Sequence, residues 1–394
     1  MTAVDEDGGE QPPVMPGEKL GAAWRKLRRE KLADREFRRK AAQNPLTRPI
    51  ATASAKRLFD FTAGFVYSQI LKAVVELDLL DKVATEAKTP EELAEPLGLK
   101  PEAARTLLDA AAALDLVERL PNGSYEIAAL GSALQGEEGV RAMIAHHDML
   151  YADLADPVKL LRGEAGQTKL SRFWPYAGGG AEAVGEEASA PYSELMGTSQ
   201  SFVADDVLDV FSFGDRNSLI DLGGGDGSFV EAVAKRWDHL KIAMADLPAV
   251  AARAERRLKD AGLGDRISVH GLDFFADRPP GEADVVSFVR VLHDHDDERV
   301  LGLLKLAHDS LTQGGEVMIA EPIADMPNAR RVGHAYFGFY LLAMGSGRPR
   351  TSAEITDLLQ RAGFWSVRTR YARGALPLAV ITARRRSEGP LWRF

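Results

Sequence analysis

The segment Asp221-Leu-Gly-Gly-Gly-Asp-Gly-Ser228 joins an apolar run, Ser218-Leu-Ile220, to a helical pattern from Phe229 to Trp237. Glycines between a strand and a helix let a ligand touch backbone, because no Cβ stands in the way. Asp246 ends the next apolar run, Ile242-Ala-Met244, where a carboxylate can accept from both hydroxyls of a ribose. Such a chain is expected to hold a nucleoside cofactor in an α/β domain.

The spacing selects the nucleoside. A dinucleotide loop reads Gly-x-Gly-x-x-Gly, with the third glycine packing helix on strand. Read from Gly223, that pattern puts Ser228 at its third place, whereas the spacing present is Gly223-x-Gly225-x-Gly227 with acids at Asp221 and Asp226. Carboxylates repel a pyrophosphate but attract the ammonium and sulfonium of S-adenosylmethionine. The loop therefore favours S-adenosylmethionine over NAD.

The chain's 394 residues suit two or three domains. With no cysteine, disulfides, cysteine nucleophiles and thiolate metal sites are excluded. No uninterrupted apolar run approaches the ~18 residues that span a bilayer, and the acidic, proline-containing start (Asp5-Glu-Asp7, Pro12-Pro13) is unlike a secretory signal. A cytoplasmic protein is expected. The net charge of −9 argues against general nucleic-acid binding, yet Lys19 to Lys40 carries ten Lys or Arg against three acids. Trp24, Leu27, Leu32 and Phe37 are interleaved there. This leader, within residues 1–50, reads either as a basic amphipathic arm for an anionic membrane surface or as a solvated, partly disordered segment.

Residues 51–138 read as helical, with a compact unit inside. Thr89-Pro-Glu-Glu is a capped helix start, a second helix begins at Lys100-Pro-Glu-Ala, and Leu116–Leu120 with Tyr125–Ile127 flank a turn at Pro121-Asn-Gly-Ser124. Helix, helix and hairpin make a winged-helix-like arrangement. Its second helix has only Lys100 and Arg105 as basic residues against Glu102, Asp109 and Asp115, too little charge to neutralise DNA phosphates. Dimerisation suits it better than DNA reading, and the apolar face from Phe59 to Leu80 supports that.

Residues 139–213 read as a helical linker. Its aromatic and sulfur side chains, with others downstream, read either as core or as an apolar pocket wall, for which the candidates are His147, Met149, Tyr151, Trp174, Met196, His295 and Met344. Adjacent His146 and His147 point to different sides of a helix, so they do not share a metal. From residue 214 to 386, strands are expected at 218–222, 241–246, 267–272, 284–291 and 315–321, alternating with helices. A helix at 352–362 and two closing strands, 365–372 and 378–384, follow. The short link at 373–377 favours an antiparallel hairpin, the plan of a class I methyltransferase Rossmann-like sheet. Residues 387–394 are a tail.

The ordered motifs make a resemblance. Asp221–Gly227, Ala245-Asp-Leu-Pro248, Gly271-Leu-Asp-Phe-Phe275, Arg290-Val-Leu-His-Asp294 and Gly314–Glu321 resemble the serial motifs of the small-molecule O-methyltransferases of caffeate and hydroxyindole type. That family begins with a winged-helix-like dimerisation domain. Pro45-Leu-Thr-Arg-Pro49, Phe65-Val-Tyr-Ser-Gln69 and His146–Pro157 resemble one branch, the hydroxyneurosporene (demethylspheroidene) O-methyltransferases of carotenoid synthesis. The resemblance implies a homodimer that methylates the 1-hydroxyl of an acyclic hydroxycarotenoid, and a membrane-dwelling substrate would give the basic leader a purpose.

The resemblance also assigns residues. His293 falls on the catalytic base, with His295 in place of the family's tryptophan, and Glu321 falls on the acid that orients the base. A histidine of pKa ~6.5 suits removal of an alcohol proton. Gly223, Gly225 and Gly227 would approach the cofactor with Asp221 beneath them. Asp246 and the adjoining Leu247 would serve the ribose, Asp273 and Phe274 the adenine, and Arg290 the cofactor carboxylate. Pro349 stands where the family carries a further glutamate, which leaves a His293–Glu321 dyad. No divalent metal is implied, since the acids at 294–298 follow helix-start spacing. Two alternatives stay open: a sister enzyme acting on an aromatic, polyketide or tetrapyrrole substrate, and a nucleoside-sensing winged-helix regulator.

Overall fold

The computed structural model describes residues 16–174, 203–279, 281–327, 329–373 and 378–386, with side chains from residue 21 onward. The chain divides after Ala73 into two compact units. In the first, Pro16–Ala33 and Arg35–Gln43 are helices, so the described part of the basic leader is helical rather than disordered. Asp34 separates them: its carboxylate accepts from the Glu36 and Phe37 N–H groups and starts the second helix. Trp24 and Leu27 stand more than half exposed.

A third helix, Arg48–Glu76, follows. By length and composition it is the one described helix apolar enough to cross a membrane, with mean hydropathy 1.3 over its best window. No single apolar run produces that value; charged and small residues are spread through it. Phe59, Phe61 and Phe65 are exposed along it.

The second unit opens with a helical segment. Thr89 and Glu92 form a reciprocal capping box that starts Pro90–Ala94. Pro101–Ala113 follows, then an antiparallel hairpin of β1 (Val117–Arg119) and β2 (Tyr125–Ile127). Tyr125 is fully buried, and its hydroxyl donates to Asp109 on the second helix, locking hairpin to helix. Helices Glu138–Asp153, Pro157–Leu161 and Lys169–Phe173 lead toward the sheet.

That sheet has seven strands: β3 (Ser218–Leu222), β4 (Lys241–Asp246), β5 (Ile267–Gly271), β6 (Ala283–Val289), β7 (Leu311–Glu321), β8 (Phe364–Tyr371) and β9 (Ala379–Arg385). Their order is β5-β4-β3-β6-β7-β9-β8. The first five are parallel, and β9 is antiparallel to both β7 and β8. This is the α/β plan with a closing hairpin that the sequence predicts; the expected tight link at 374–377 lies outside the described residues. Two apolar layers cover the sheet. Phe229, Val233 and Leu258 anchor one, and Leu303, Leu304 and Leu359 anchor the other. Strand order reverses between β3 and β6, and ligands of open α/β sheets bind at the carboxyl ends beside such a switch. The glycine loop leaves β3 at that place.

Candidate active site

β3 ends at Leu222, and the chain turns through the glycines into helix Ser228–Arg236. Gly223 has φ +78°, and a Cβ there would lie 2.6 Å from the Val291 side chain. Only glycine lets the loop after β3 touch the loop after β6 so closely. Asp221 is almost fully buried and accepts from the Ser287 hydroxyl on the neighbouring strand, while its Oδ2 has no hydrogen-bond partner. Burial, together with the nearby Asp246, raises its pKa to about 7 even though the Ser287 bond lowers it. An unsatisfied buried carboxylate oxygen under a glycine loop fits a cationic ligand. Asp226, the loop's other acid, is taken up within the protein by Ser228 and Arg257.

Asp246, at the end of β4, accepts from the Gly225 N–H at 2.8 Å and the Leu247 N–H at 2.7 Å. Each oxygen keeps a second lone pair, as a diol would require. Burial raises this carboxyl to about 6. Beyond β5, Asp273 accepts from the Phe275 N–H, and Phe274 packs against the apolar layer. His295 meets Phe275 edge to face at 5.9 Å, and Arg299 covers the other ring contact. His295 thus sits beside the Asp273 loop. Burial lowers its pKa to about 4.

Arg290, directly after β6, has φ +60° and is buried. The chain then makes a short 3-10 turn, Leu292–Asp294. Glu321, the last residue of β7, organises this turn. Its Oε1 accepts from the Val291 and Leu292 N–H groups, and its Oε2 meets His293 Nδ1. With Nδ1 held by a carboxylate, the proton of neutral His293 rests there and Nε2 carries the lone pair. Nε2 lies 3.2 Å from Asp294 Oδ1. Burial disfavours the imidazolium, but Asp294 and Glu321 outweigh it, and the His293 pKa ends above its ordinary value.

Three of the expected pocket residues share one apolar cluster. Trp174, Met344 and Leu341 are buried together, with Met149 packed against them. His147 Nε2 bonds the Tyr336 hydroxyl at 2.8 Å, and its ring meets Tyr151. His146 Nε2 bonds Tyr340, which also receives the Trp174 Nε1–H. Burial, with the neighbouring His147 added, lowers the His146 pKa to about 4. Phe337 joins the halves of the site, meeting His293 at 5.8 Å and Tyr336 at 5.1 Å. Met196 lies outside the described residues. Among the described residues, no group of three or more acids or histidines is placed to hold a metal.

Tyr336 and Tyr340 were not singled out in the sequence. Their signal is a four-residue spacing that sets both hydroxyls on one helical face. A π-helical turn, Arg331–Phe337, precedes helix Gly338–Met344 and sets their orientation, and no sequence period announces such a turn.

Residues 151–365 match the O-methyltransferase domain family, and residues 59–136 match the O-methyltransferase dimerisation domain. The chain belongs to the O-methyltransferase family. It is 41% identical over 356 residues to the demethylspheroidene O-methyltransferase of Cereibacter sphaeroides, covering 90% of this chain and 94% of that protein. With the Rhodobacter capsulatus enzyme of the same name it shares 38% identity over 323 residues, 82% of this chain and 80% of the relative. Human N-acetylserotonin methyltransferase, solved with S-adenosylmethionine, superposes with a TM-score of 0.69 at 22% identity, over 85% of this chain and 98% of that one. The enzyme is an S-adenosylmethionine-dependent O-methyltransferase. It has the class I sheet and a helical N-terminal domain.

The buried acids set a pH dependence for the cofactor-free enzyme. Asp221 and Asp246 bind protons more tightly in the native chain than in the unfolded one. Their contribution is therefore full below the ordinary carboxylate range and lost as pH rises toward 7. Thermal melts between pH 5 and pH 8 are expected to show a smaller loss of stability for Asp221→Asn than for the parent; equal slopes would remove Asp221 as the cause.

Proposed function

We propose that His293 is the general base of this methyltransferase, oriented by Glu321, and that the acceptor is the tertiary 1-hydroxyl of an acyclic hydroxycarotenoid. The observation that carries the first part is the Glu321 carboxylate on His293 Nδ1, which leaves Nε2 as the basic nitrogen. S-adenosylmethionine supplies an electrophilic methyl group and a sulfonium leaving group when bound. Asp221, Gly223, Gly225 and Gly227 would hold its charged end. Asp246 with Leu247 would hold the ribose, and Asp273 with Phe274 the adenine. Arg290 would face the carboxylate. An alcohol oxygen is a poor nucleophile until its proton is taken. His293 Nε2 takes it, Asp294 and Glu321 stabilise the imidazolium that forms, and the proton later leaves to solvent.

The substrate reading is supported by identity to the two demethylspheroidene enzymes and by a wall of Met149, Tyr151, Trp174 and Met344. His147 and Tyr336 add a polar pair within that wall. The dimerisation-domain match supports a homodimer. A carotenoid is delivered from lipid, and the basic helices 16–43 with exposed Trp24 and Leu27 would rest on an anionic membrane surface. The rest of the enzyme would stay in the cytoplasm.

Replacement of His293 by alanine is expected to leave cofactor affinity intact and to lower turnover by ~10²-fold or more. Unchanged turnover would remove the histidine from the chemistry. Incubation with labelled cofactor should methylate 1-hydroxycarotenoids and not simple phenols; label appearing on phenols alone would overturn the carotenoid reading. Vesicles containing phosphatidylserine should carry the full-length protein in flotation, and reversal of Arg25, Arg28 and Arg29 to glutamate should abolish this. Flotation indifferent to those charges would refute the membrane role.

A further inference from the structure

Segment 346–350 crosses beneath the His293 turn and occupies four consecutive backbone carbonyls. Arg350 Nη1 donates to the Leu292 carbonyl at 2.8 Å and Nη2 to the His295 carbonyl at 2.6 Å. Between them, the Arg348 N–H donates to the His293 carbonyl at 3.0 Å, and the Ser346 hydroxyl to the Asp294 carbonyl at 2.7 Å. Arg350 is buried, and its Nε pairs with Asp297 at the start of the next helix. The Arg350 carbonyl in turn accepts from the Ala324 N–H, just beyond Glu321. His293, Glu321 and Arg350 line one narrow cavity.

We infer that Arg350 is a positioning residue of the methyl-transfer reaction, holding the turn so that His293 keeps its bond to Glu321 and presents Nε2 to the acceptor. The inference rests on His293 being the base. Glu321 fixes this turn from its N–H side, and segment 346–350 fixes it from the carbonyl side. Neither half alone determines the imidazole's place, since a turn held only through Val291 and Leu292 N–H groups remains free to pivot about them. The planar guanidinium spans two carbonyls three residues apart, which a lysine ammonium does not. Pro349 fits this role. It has no N–H to offer, and it holds Arg348 extended, so that the Arg348 N–H and the Arg350 side chain reach the same turn. Where the family has an acid at 349, this chain keeps its grip on the turn through the residues to either side. Gly347 is the close approach: at φ +73°, a Cβ there would overlap the His293 carbonyl oxygen.

The test uses the full-length enzyme with Arg350→Lys, Gly347→Ala and Ser346→Ala beside His293→Ala. Displacement of a reacting group by ~1 Å costs about 10²-fold. Arg350→Lys and Gly347→Ala are therefore expected to lower kcat by about that factor, with cofactor affinity unchanged by calorimetry. Ser346→Ala should give a smaller fall of the same kind, and it carries the test if an Arg350 variant does not fold. The groups around His293 are Glu321 from β7, Arg290 from the end of β6, and Asp294 and His295 from its own turn. As the hold on Glu321 loosens, the acid limb of the kcat profile should move to lower pH. Guanidinium ion should restore part of the turnover of Arg350→Ala but none of His293→Ala. Wild-type kcat and pH profile in these variants would overturn the inference, as would parallel loss of cofactor binding and turnover. If His293→Ala itself turns over normally, the base assignment fails instead, whatever the Arg350 variants do.

Discussion

The Glu321 carboxylate is the interaction on which the catalytic half of the molecule depends. It is buried at the end of β7, where an unpaired charge would cost several kcal/mol. Three donors remove that cost: two backbone N–H groups and an imidazole nitrogen. All three belong to one turn, so the acid that needs them also builds the turn. The arrangement is cooperative: loss of His293 leaves Oε1 with its two N–H donors and Oε2 bare, and loss of Glu321 leaves the turn held only from its carbonyl side. In its proposed role as base, His293 would be oriented before any substrate arrives, which is where preorganised catalysis gains most.

The same economy governs the cofactor end. Gly223 lets the loop after β3 lie against Val291, the residue whose N–H Glu321 holds. The glycine loop and the His293 turn are thus in van der Waals contact through one missing Cβ. A side chain at 223 would disturb both the ligand cradle and the base. Asp221 below it remains half-satisfied, with Ser287 on one oxygen and nothing on the other. Buried polar atoms left this way mark a place where a ligand completes the protein.

What the sequence reveals depends on the range of the physics behind it. The strands from 218 to 385 and the helix at 352 follow from local periodicity and turn chemistry, and their observed limits differ from the expected ones by a few residues. The His293–Glu321 pair was readable through motif order, although the residues are 28 apart. Arg350 was not, because its partners are backbone carbonyls, and a carbonyl has no identity in a sequence. Tyr336 and Tyr340 escaped for a related reason: their value lies in hydroxyls meeting histidines about 190 residues earlier. The leader posed the opposite problem. Its composition permits helix or disorder, and the Asp34 cap, a single hydrogen-bonding residue between two basic stretches, is the local feature that favours helix.

The acceptor end is chemically different from the cofactor end, and this bears on specificity. An apolar wall separates substrates by only about 1–3 kcal/mol per methylene, whereas an unmatched buried polar group discriminates far more strongly. In the cluster around Met344, the polar groups are His146 with Tyr340 and Trp174, and His147 with Tyr336. In the first, the Tyr340 hydroxyl meets both His146 Nε2 and the Trp174 Nε1–H. The second has a single bond between two groups that each have further capacity. Tyr336 is also the one that touches Phe337, and through it the His293 ring. For the proposed acceptor, an apolar wall would therefore select chain length and shape weakly, and buried polar groups beside it would select the position of the hydroxyl strongly.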